Sequence, residues 1–168
     1  MNNSYYQKGQ TDNKVHNSTS RPTVFLAAPY SNRFDPTKNV KDVGLKNTLK
    51  RIIEILEQNG YKVLSAHVRE DWGKKLMKPN VFVPLDYRWI KESDLVIAYV
   101  DGTSSGLYIE IGWASYLHKD ILILYKKGTH FSPMIYGLKS MTKVWLLSFK
   151  DNKHLIERLK RRLKKGFK

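Results

Sequence analysis

Two carboxylates, Asp86 and Glu110, lie on either side of an apolar segment, residues 95–100, that has the length and content of a buried strand. The neighbours of Glu110 include Ile109 and Ile111, and apolar surroundings are costly for a charge that has no task. Two carboxylates can divide the work of breaking a glycosidic bond, one as nucleophile or charge stabiliser and the other as proton donor. Each can also be an ordinary helix-dipole residue, and the residues alone leave that alternative open.

A loop of small and hydroxyl-bearing residues follows the apolar segment, and a helical pattern begins directly after it: Asp101-Gly-Thr-Ser-Ser-Gly106. A loop between a strand and a helix offers free backbone N–H groups and the positive end of the helix to a phosphate. Glu110 comes soon after this loop, so the carboxylate and a bound phosphate would share one pocket. The pattern favours an anionic ligand that carries a phosphate.

Two further segments are rich in polar side chains. The first offers Tyr30, Ser31, Asn32, Arg33 and Asp35, and the second offers His67, Arg69, Glu70, Asp71 and Trp72. Tyr30 and Trp72 suit either the core or a platform for a base, and His67 suits either a site or a structural role. The chain has no dinucleotide-binding glycine motif, no P-loop lysine and no serine nucleophile elbow. No histidine–carboxylate spacing suits a metal, so we expect neither a metal nor another cofactor.

Strand and helix patterns alternate along the chain. Strands are predicted at residues 23–28, 61–66, 95–100, 121–125 and 143–149, and helices at residues 40–59, 84–92, 107–117, 133–139 and 152–163. This alternation predicts an α/β fold with a five-stranded parallel sheet and helices on both faces. Because ligands bind such sheets at the carboxyl ends of the strands, the loops after the first three strands should meet there.

The length of 168 residues suits a single domain. We expect residues 1–21 to be a disordered polar tail, residues 22–164 to form the domain and residues 165–168 to be a basic tail. The absence of cysteine excludes disulfides, thiol catalysis and cysteine-based zinc sites. No apolar run approaches the roughly 20 residues of a membrane span, and the start lacks the apolar centre of a signal peptide, so we expect a cytoplasmic protein.

The formal net charge of +15 raises the question of a nucleic-acid partner. Much of the excess lies in the last predicted helix and the tail: Arg158, Lys160, Arg161, Arg162, Lys164, Lys165 and Lys168. Aromatic and basic residues are not interleaved there as they are in single-strand binders, so we do not expect nucleic acid as a partner. We interpret the charge as a solvated basic face whose field also draws an anionic substrate to its cleft.

Several segments, in their order and spacing, resemble the nucleoside 2-deoxyribosyltransferase superfamily: Phe25-Leu-Ala-Ala-Pro-Tyr30, Ala66-His-Val-Arg-Glu-Asp-Trp-Gly73, Leu85-Asp86, Ser93-Asp-Leu-Val-Ile-Ala98 and Ser105-Gly106 with Glu110-Ile-Gly-Trp-Ala114. The resemblance covers roughly residues 23–149 and is strongest to the nucleotide N-glycosidase branch. That branch includes CMP and 5-hydroxymethyl-CMP hydrolases and 2′-deoxynucleoside 5′-phosphate N-hydrolases. The resemblance implies a three-layer, flavodoxin-like or Rossmann-like sheet and a homodimer with pockets near the subunit interface.

The resemblance also implies roles for individual residues. Glu110 matches the catalytic glutamate that attacks or stabilises C1′, and Asp86 matches the second carboxylate near the sugar and base. The implied phosphate-binding residues are Ser104, Ser105 and Gly106, with Ser132 as a weaker match to a serine that reaches the neighbouring subunit's phosphate. The implied base- and sugar-binding residues are Ala28, Tyr30, His67 and Trp72. Since Glu110 is predicted at a helix N-terminus, we assign the charge to Glu110 and the catalytic proton to Asp86.

The activity that the resemblance implies is hydrolysis of the N-glycosidic bond of a nucleoside 5′-monophosphate, with CMP or a 5-substituted CMP favoured as the substrate. The products would be the free base and a (deoxy)ribose 5-phosphate. One alternative is a nucleoside 2-deoxyribosyltransferase, which passes the sugar to a second base. Another is a non-catalytic module that binds nucleotides or nucleic acid. Salt-sensitive binding to DNA without release of base would support that alternative.

Overall fold

The computed structural model describes residues 21–30, 42–102 and 104–167. Five strands form one parallel sheet in the order β2-β1-β3-β4-β5, which confirms the predicted architecture. The strands are β1 (Thr23–Ala27), β2 (Lys62–Leu64), β3 (Leu95–Val100), β4 (Asp120–Lys126) and β5 (Val144–Phe149). The helices are α1 (Val43–Gln58), α2 (Ala66–Arg69), α3 (Pro79–Glu92), α4 (Ser105–Tyr116), α5 (Pro133–Gly137) and α6 (Asn152–Lys165).

The central strand β3 shows why the sheet needs a helical layer on each face. All six of its residues are buried. Leu95, Ile97 and Tyr99 belong to a core that includes the apolar residues of α1 and α6. Their neighbours Val96 and Ala98 belong to a second core that includes residues of α3, α4 and α5. Side chains of a strand alternate between its two faces, so an all-apolar strand forms two cores.

The strand order creates a switch point between β1 and β3. The chain leaves β1 for β2 on one side and returns to β3 on the other, and Ala27 pairs with Ala98 near the carboxyl ends of the two strands. The segments after these strands therefore begin side by side. Open parallel sheets bind ligands at such a crevice.

The two helices that carry the carboxylates begin earlier than predicted. Pro79 occupies the first turn of α3, so Pro84 lies inside the helix and Asp86 about two turns from its start. Ser104 is the N-cap of α4, which places Glu110 in its second turn. The helix-dipole interpretation of both carboxylates is therefore wrong, since the dipole acts mainly within the first turn.

Some predictions fall outside the described residues. They concern the polar tail up to residue 20, the first-loop residues 31–35, Thr103 of the small-residue loop and Lys168 at the end of the chain. The second predicted strand ends too late, because Leu64 is the last residue of β2 and Ala66 begins α2. Within the described ranges, no helix is both long and apolar enough to cross a membrane.

Candidate active site

A cavity of about 360 Å³ lies at the carboxyl edge of the sheet, beside the switch point. Both predicted catalytic residues, Asp86 and Glu110, line it, as do the predicted phosphate-binding residues Ser104 and Gly106. Its wall also includes three residues predicted to contact base and sugar, namely Ala28, Tyr30 and His67. Residues from β1, α2, α3 and α4 thus come together around one space.

Three of the predicted site residues lie elsewhere. Trp72 is 8 % exposed and packs in the core on the α1 side, with the ammonium groups of Lys46 and Lys50 over its ring at 5.5 and 5.9 Å. Ser105 is exposed and is absent from the cavity wall described here. Ser132 caps α5, where its Oγ accepts the N–H of Met134 at 3.3 Å. The expectation that Trp72 stacks on a base is not met, because the core encloses its ring.

The start of α4 presents backbone donors to the cavity. The Oγ of Ser104 accepts the N–H of Leu107 at 3.5 Å, and the carbonyl of Ser104 accepts the first helical bond from Tyr108. The N–H groups of a helix's first turn have no acceptor within the helix, which makes this end suited to an anion. Gly106 would have no atom within 4 Å of an added Cβ, so the space beside it is open.

Arg69 joins two of the buried carboxylates in the cavity. Its Nη1 donates to Asp86 Oδ1 at 2.5 Å, and its Nη2 donates to Glu70 Oε1 at 3.0 Å. The guanidinium stacks on Trp89, with Cζ 4.8 Å from the ring centroid. Burial raises the pKa of Asp86, while the bond and the charge of Arg69 oppose that rise. The ion pair therefore favours the ionised form of Asp86.

Glu110 has a different environment. Burial, and then the charge of Asp86, raise the pKa of Glu110 to about 8, against the opposing charge of Arg69. Among the described residues, no ion pair holds its carboxyl. In the unliganded protein the proton near neutral pH therefore belongs on Glu110, which reverses the assignment made from the sequence. The reason is the partner that each carboxyl has, since Arg69 bonds to Asp86 and not to Glu110.

The remaining polar wall is neutral or paired. Burial lowers the pKa of His67 to about 4, so its imidazole is uncharged, and its Nε2 lies 3.1 Å from the carbonyl oxygen of Pro29. That distance identifies Nε2 as the protonated nitrogen. Burial, together with a hydrogen bond to Glu70, raises the pKa of Tyr30, whose ring centroid is 4.8 Å from that of His67.

Arg69 and Glu70 are among the polar residues of the second segment, and no role was predicted for either. The signal that was missed is the short helix α2, which ends at Arg69 and has Glu70 as its C-cap. Leu76, Met77 and Phe82 were not singled out at all, and they form an apolar part of the cavity wall. An apolar wall with a few placed polar groups is typical of a small-molecule site.

Comparisons with known proteins identify the family of this chain. The family model described as nucleoside 2-deoxyribosyltransferase matches residues 24–164. A protein of Thermofilum pendens, named as a 2′-deoxynucleoside 5′-phosphate N-hydrolase, is 30 % identical over 140 residues, covering 81 % of this chain and 91 % of that one. The 5-hydroxymethyl-dUMP N-hydrolase of Rattus norvegicus is 35 % identical over 104 residues, covering 56 % of this chain and 63 % of its own.

Two solved structures are similar to this chain in fold and in sequence. The Clostridium botulinum CMP N-glycosidase BcmB is similar with a TM-score of 0.61 and 29 % identity, covering 82 % of this chain and 97 % of its own. The solution structure of BlsM gives a TM-score of 0.72 at 29 % identity, covering 87 % of this chain and 91 % of its own. With a family model that matches most of its length, this chain belongs to the nucleoside 2-deoxyribosyltransferase family.

Proposed function

We propose that the protein hydrolyses the N-glycosidic bond of a nucleoside 5′-monophosphate, with CMP or a 5-substituted CMP as the favoured substrate. The products are the free base and (deoxy)ribose 5-phosphate. The observation that carries this proposal is the presence of two carboxylates, the buried Asp86 and the partly buried Glu110, in one cavity with the N-terminus of α4. The N-hydrolase names of the relatives and the CMP N-glycosidase BcmB support it.

The helix end and the carboxylates suggest how a nucleotide binds. The 5′-phosphate lies against the free N–H groups at Ser105 and Gly106, where the positive end of α4 stabilises it. The sugar then extends toward Glu110, and C1′ faces its carboxyl. An oxocarbenium-like transition state is stabilised by a negative group on that face. Binding energy from the phosphate thus orients the reacting centre.

The two carboxylates share one proton near neutral pH, and each form of the pair has a use. In the free protein the pKa of Glu110, raised to about 8, favours the proton there, while the bond from Arg69 opposes the rise that burial causes in the pKa of Asp86. Transfer of that proton to Asp86, directly or through water, gives the reactive form. The ionised Glu110 attacks C1′ as the C1′–N bond breaks, and Asp86 protonates the departing base. Asp86, now ionised, takes a proton from water as the water oxygen attacks C1′, and the C1′–O bond to Glu110 breaks to release the sugar phosphate.

A transferase would use the same carboxylates, so the acceptor distinguishes the two activities. Incubation with ribo- and deoxyribonucleoside 5′-monophosphates, with and without a second base, followed by chromatography of the products, tests the proposal. We expect free base from CMP at a far higher kcat/KM than from cytidine, and no transfer to the added base. Equal kcat/KM for CMP and cytidine, or transfer in preference to hydrolysis, would contradict the proposal. The parent nucleoside is the matched control for the phosphate.

We also propose that the protein is a homodimer. Large apolar side chains on α4 and α5 are exposed and support this: Ile109, Tyr116, Met134 and Tyr136. Burial of such side chains favours association. Light scattering of the purified protein should give the mass of two chains, and Met134→Glu should shift it toward one. Lys153→Glu, an exposed change on α6 in the other helical layer, is the control. A wild-type mass of one chain at all concentrations would contradict the proposal.

A further inference from the structure

Glu70 is a buried acidic residue to which the mechanism above gives no task. It is 4 % exposed, yet it contributes to the wall of the cavity that holds Asp86 and Glu110. Burial of a carboxylate is unfavourable unless hydrogen bonds compensate for lost water. A buried carboxylate at the wall of a ligand cavity is therefore suited to bind a donor on that ligand.

The position of Glu70 is held by its neighbours. Arg69 Nη2 donates to Glu70 Oε1 at 3.0 Å, and the Tyr30 hydroxyl donates a further hydrogen bond to the carboxylate. Arg69 is held in turn by Asp86 at 2.5 Å and by stacking on Trp89. A carboxylate has about four acceptor positions, so two donors leave capacity for a ligand. The group is thus held in place by Arg69 and still able to accept a hydrogen bond.

The charges order these residues along the cavity. Beyond burial, the pKa of Glu110 responds to Asp86 and Arg69, whereas the pKa of Asp86 responds to Arg69 and Glu70. The pKa of Tyr30 responds to Glu70 and Arg69. Arg69 bonds to Asp86 through Nη1 and to Glu70 through Nη2, so its guanidinium lies between these two carboxylates, and Asp86 is the one whose charge acts on Glu110. If C1′ faces Glu110, then Glu70 lies on the side where the base extends.

We propose that Glu70, with Arg69 beside it, selects a base that carries an amino group next to a ring-nitrogen acceptor, which among the pyrimidines is cytosine. The inference rests on the proposed function. The carboxylate accepts from the exocyclic N–H of cytosine, and the guanidinium has unused donors for the ring nitrogen. Uracil presents an oxygen acceptor and an N–H donor at the same two positions, so both contacts become unfavourable. Leu76, Met77 and Phe82 give the flat ring an apolar wall.

The size of the selection follows from what a mismatched base leaves behind. A site built to accept a hydrogen bond rejects an analogue that lacks the donor, because a buried polar group then has no partner. A well-formed polar contact to a base edge discriminates on the order of 10–100-fold. We therefore expect kcat/KM for CMP to exceed that for UMP by about 10²-fold, and Glu70→Gln to reduce that ratio at least tenfold.

The experiment compares CMP, UMP and the 5′-monophosphate of 2-pyrimidinone riboside, which lacks the amino group without added bulk. kcat/KM is measured for wild type, for Glu70→Gln and for the control Glu57→Gln, an exposed change on α1. In the wild type, kcat/KM for the analogue should be much lower than that for CMP and close to that for UMP. In Glu70→Gln, kcat/KM for CMP and for the analogue should be equal. If Glu70 has only a structural role, Glu70→Gln should instead lower kcat/KM for all three substrates by the same factor and leave the CMP/UMP ratio unchanged. That result would overturn the inference and leave the proposed function standing.

The analogue tests the wild type directly, so the inference does not depend on whether Glu70→Gln folds. Equal kcat/KM for CMP and the analogue in the wild type would overturn it. If no nucleotide releases its base, the proposed function fails, and calorimetric titration with CMP and UMP still decides the role of Glu70. Tighter binding of CMP that Glu70→Gln abolishes would support the inference, and equal binding of both nucleotides would overturn it.

Discussion

Arg69 donates from Nη1 to Asp86 Oδ1 at 2.5 Å, and the side chains of these two residues are only 11 % and 6 % exposed. The pair links the end of α2 to the middle of α3 at the wall of the cavity. In a buried pair each charge depends on the other, because neither has water to replace its partner. Burial and then the charge of Asp86 raise the pKa of Glu110, while the bond from Arg69 opposes the rise in the pKa of Asp86.

Replacement of Arg69 by Ala should destabilise the protein by about 3–5 kcal/mol, since it leaves Asp86 and Glu70 buried without their shared cation. The free energy of unfolding in urea measures this change. Arg51→Ala is the matched control, because Arg51 pairs with Glu54 at 2.8 Å on the surface of α1. Its effect should be below about 1 kcal/mol. Equal decreases in the free energy of unfolding for the two variants would show that the buried Arg69 pair contributes no more to stability than the surface pair.

Glu110→Gln should fold normally and lose base release from CMP on the order of 10³-fold. The amide keeps the shape of the carboxyl but cannot supply the negative charge that C1′ requires. Initial rates of base release, with circular dichroism to verify the fold, measure this. Turnover near that of the wild type would remove Glu110 from the mechanism.

The fold could be predicted from the sequence because its signals are local. The apolar run of β3 and the strand–helix alternation need no tertiary information, and both were predicted correctly. The start of α3 was missed because Pro79 and Pro84 are each acceptable in a first turn, and only the folded chain distinguishes them.

The contacts of the site could not be predicted in the same way. The bond from Arg69 to Asp86 joins residues 17 positions apart and depends on how α3 packs beside α2, which only the folded chain shows. Trp72 illustrates the same difficulty, since a positive φ of 58° turns the chain there and directs an aromatic residue into the core. An aromatic residue in a polar segment carries no local sign of which side it will face.

The pH dependence of activity should report the shared proton. With a Glu110 pKa of about 8, the pair keeps one proton below that pH and loses it above. Loss of the last proton leaves two ionised carboxylates and no acid for the base. kcat/KM for CMP should therefore fall as the pH rises through about 8, in a series of buffers at constant ionic strength. A value that keeps rising to pH 9 would contradict the shared proton.

Stability should also depend on this group. The folded pKa of Glu110, about 8, lies above that of an unfolded glutamate, so between these two values the folded state binds one more proton. Stability must then fall as the pH rises across that window, by up to about 1.4 kcal/mol per pH unit. Urea unfolding from pH 5 to pH 8 measures the slope, and Glu110→Gln should flatten it. An unchanged slope in the variant would assign the dependence to other groups.

Asp86→Asn tests the division of labour between the two carboxylates. Nucleotide binding should persist, and kcat should fall about 10²-fold, because the amide cannot protonate the departing base. That loss should shrink for bases that leave more readily. The variant also removes the charge that raises the pKa of Glu110, so this pKa should drop below about 8. Since Glu110 then acts alone and must be ionised, kcat/KM should rise with pH through its lowered pKa and stay level above it, in place of the fall expected for the wild type. An intact kcat with weakened binding would instead identify Asp86 as a ligand of a sugar hydroxyl.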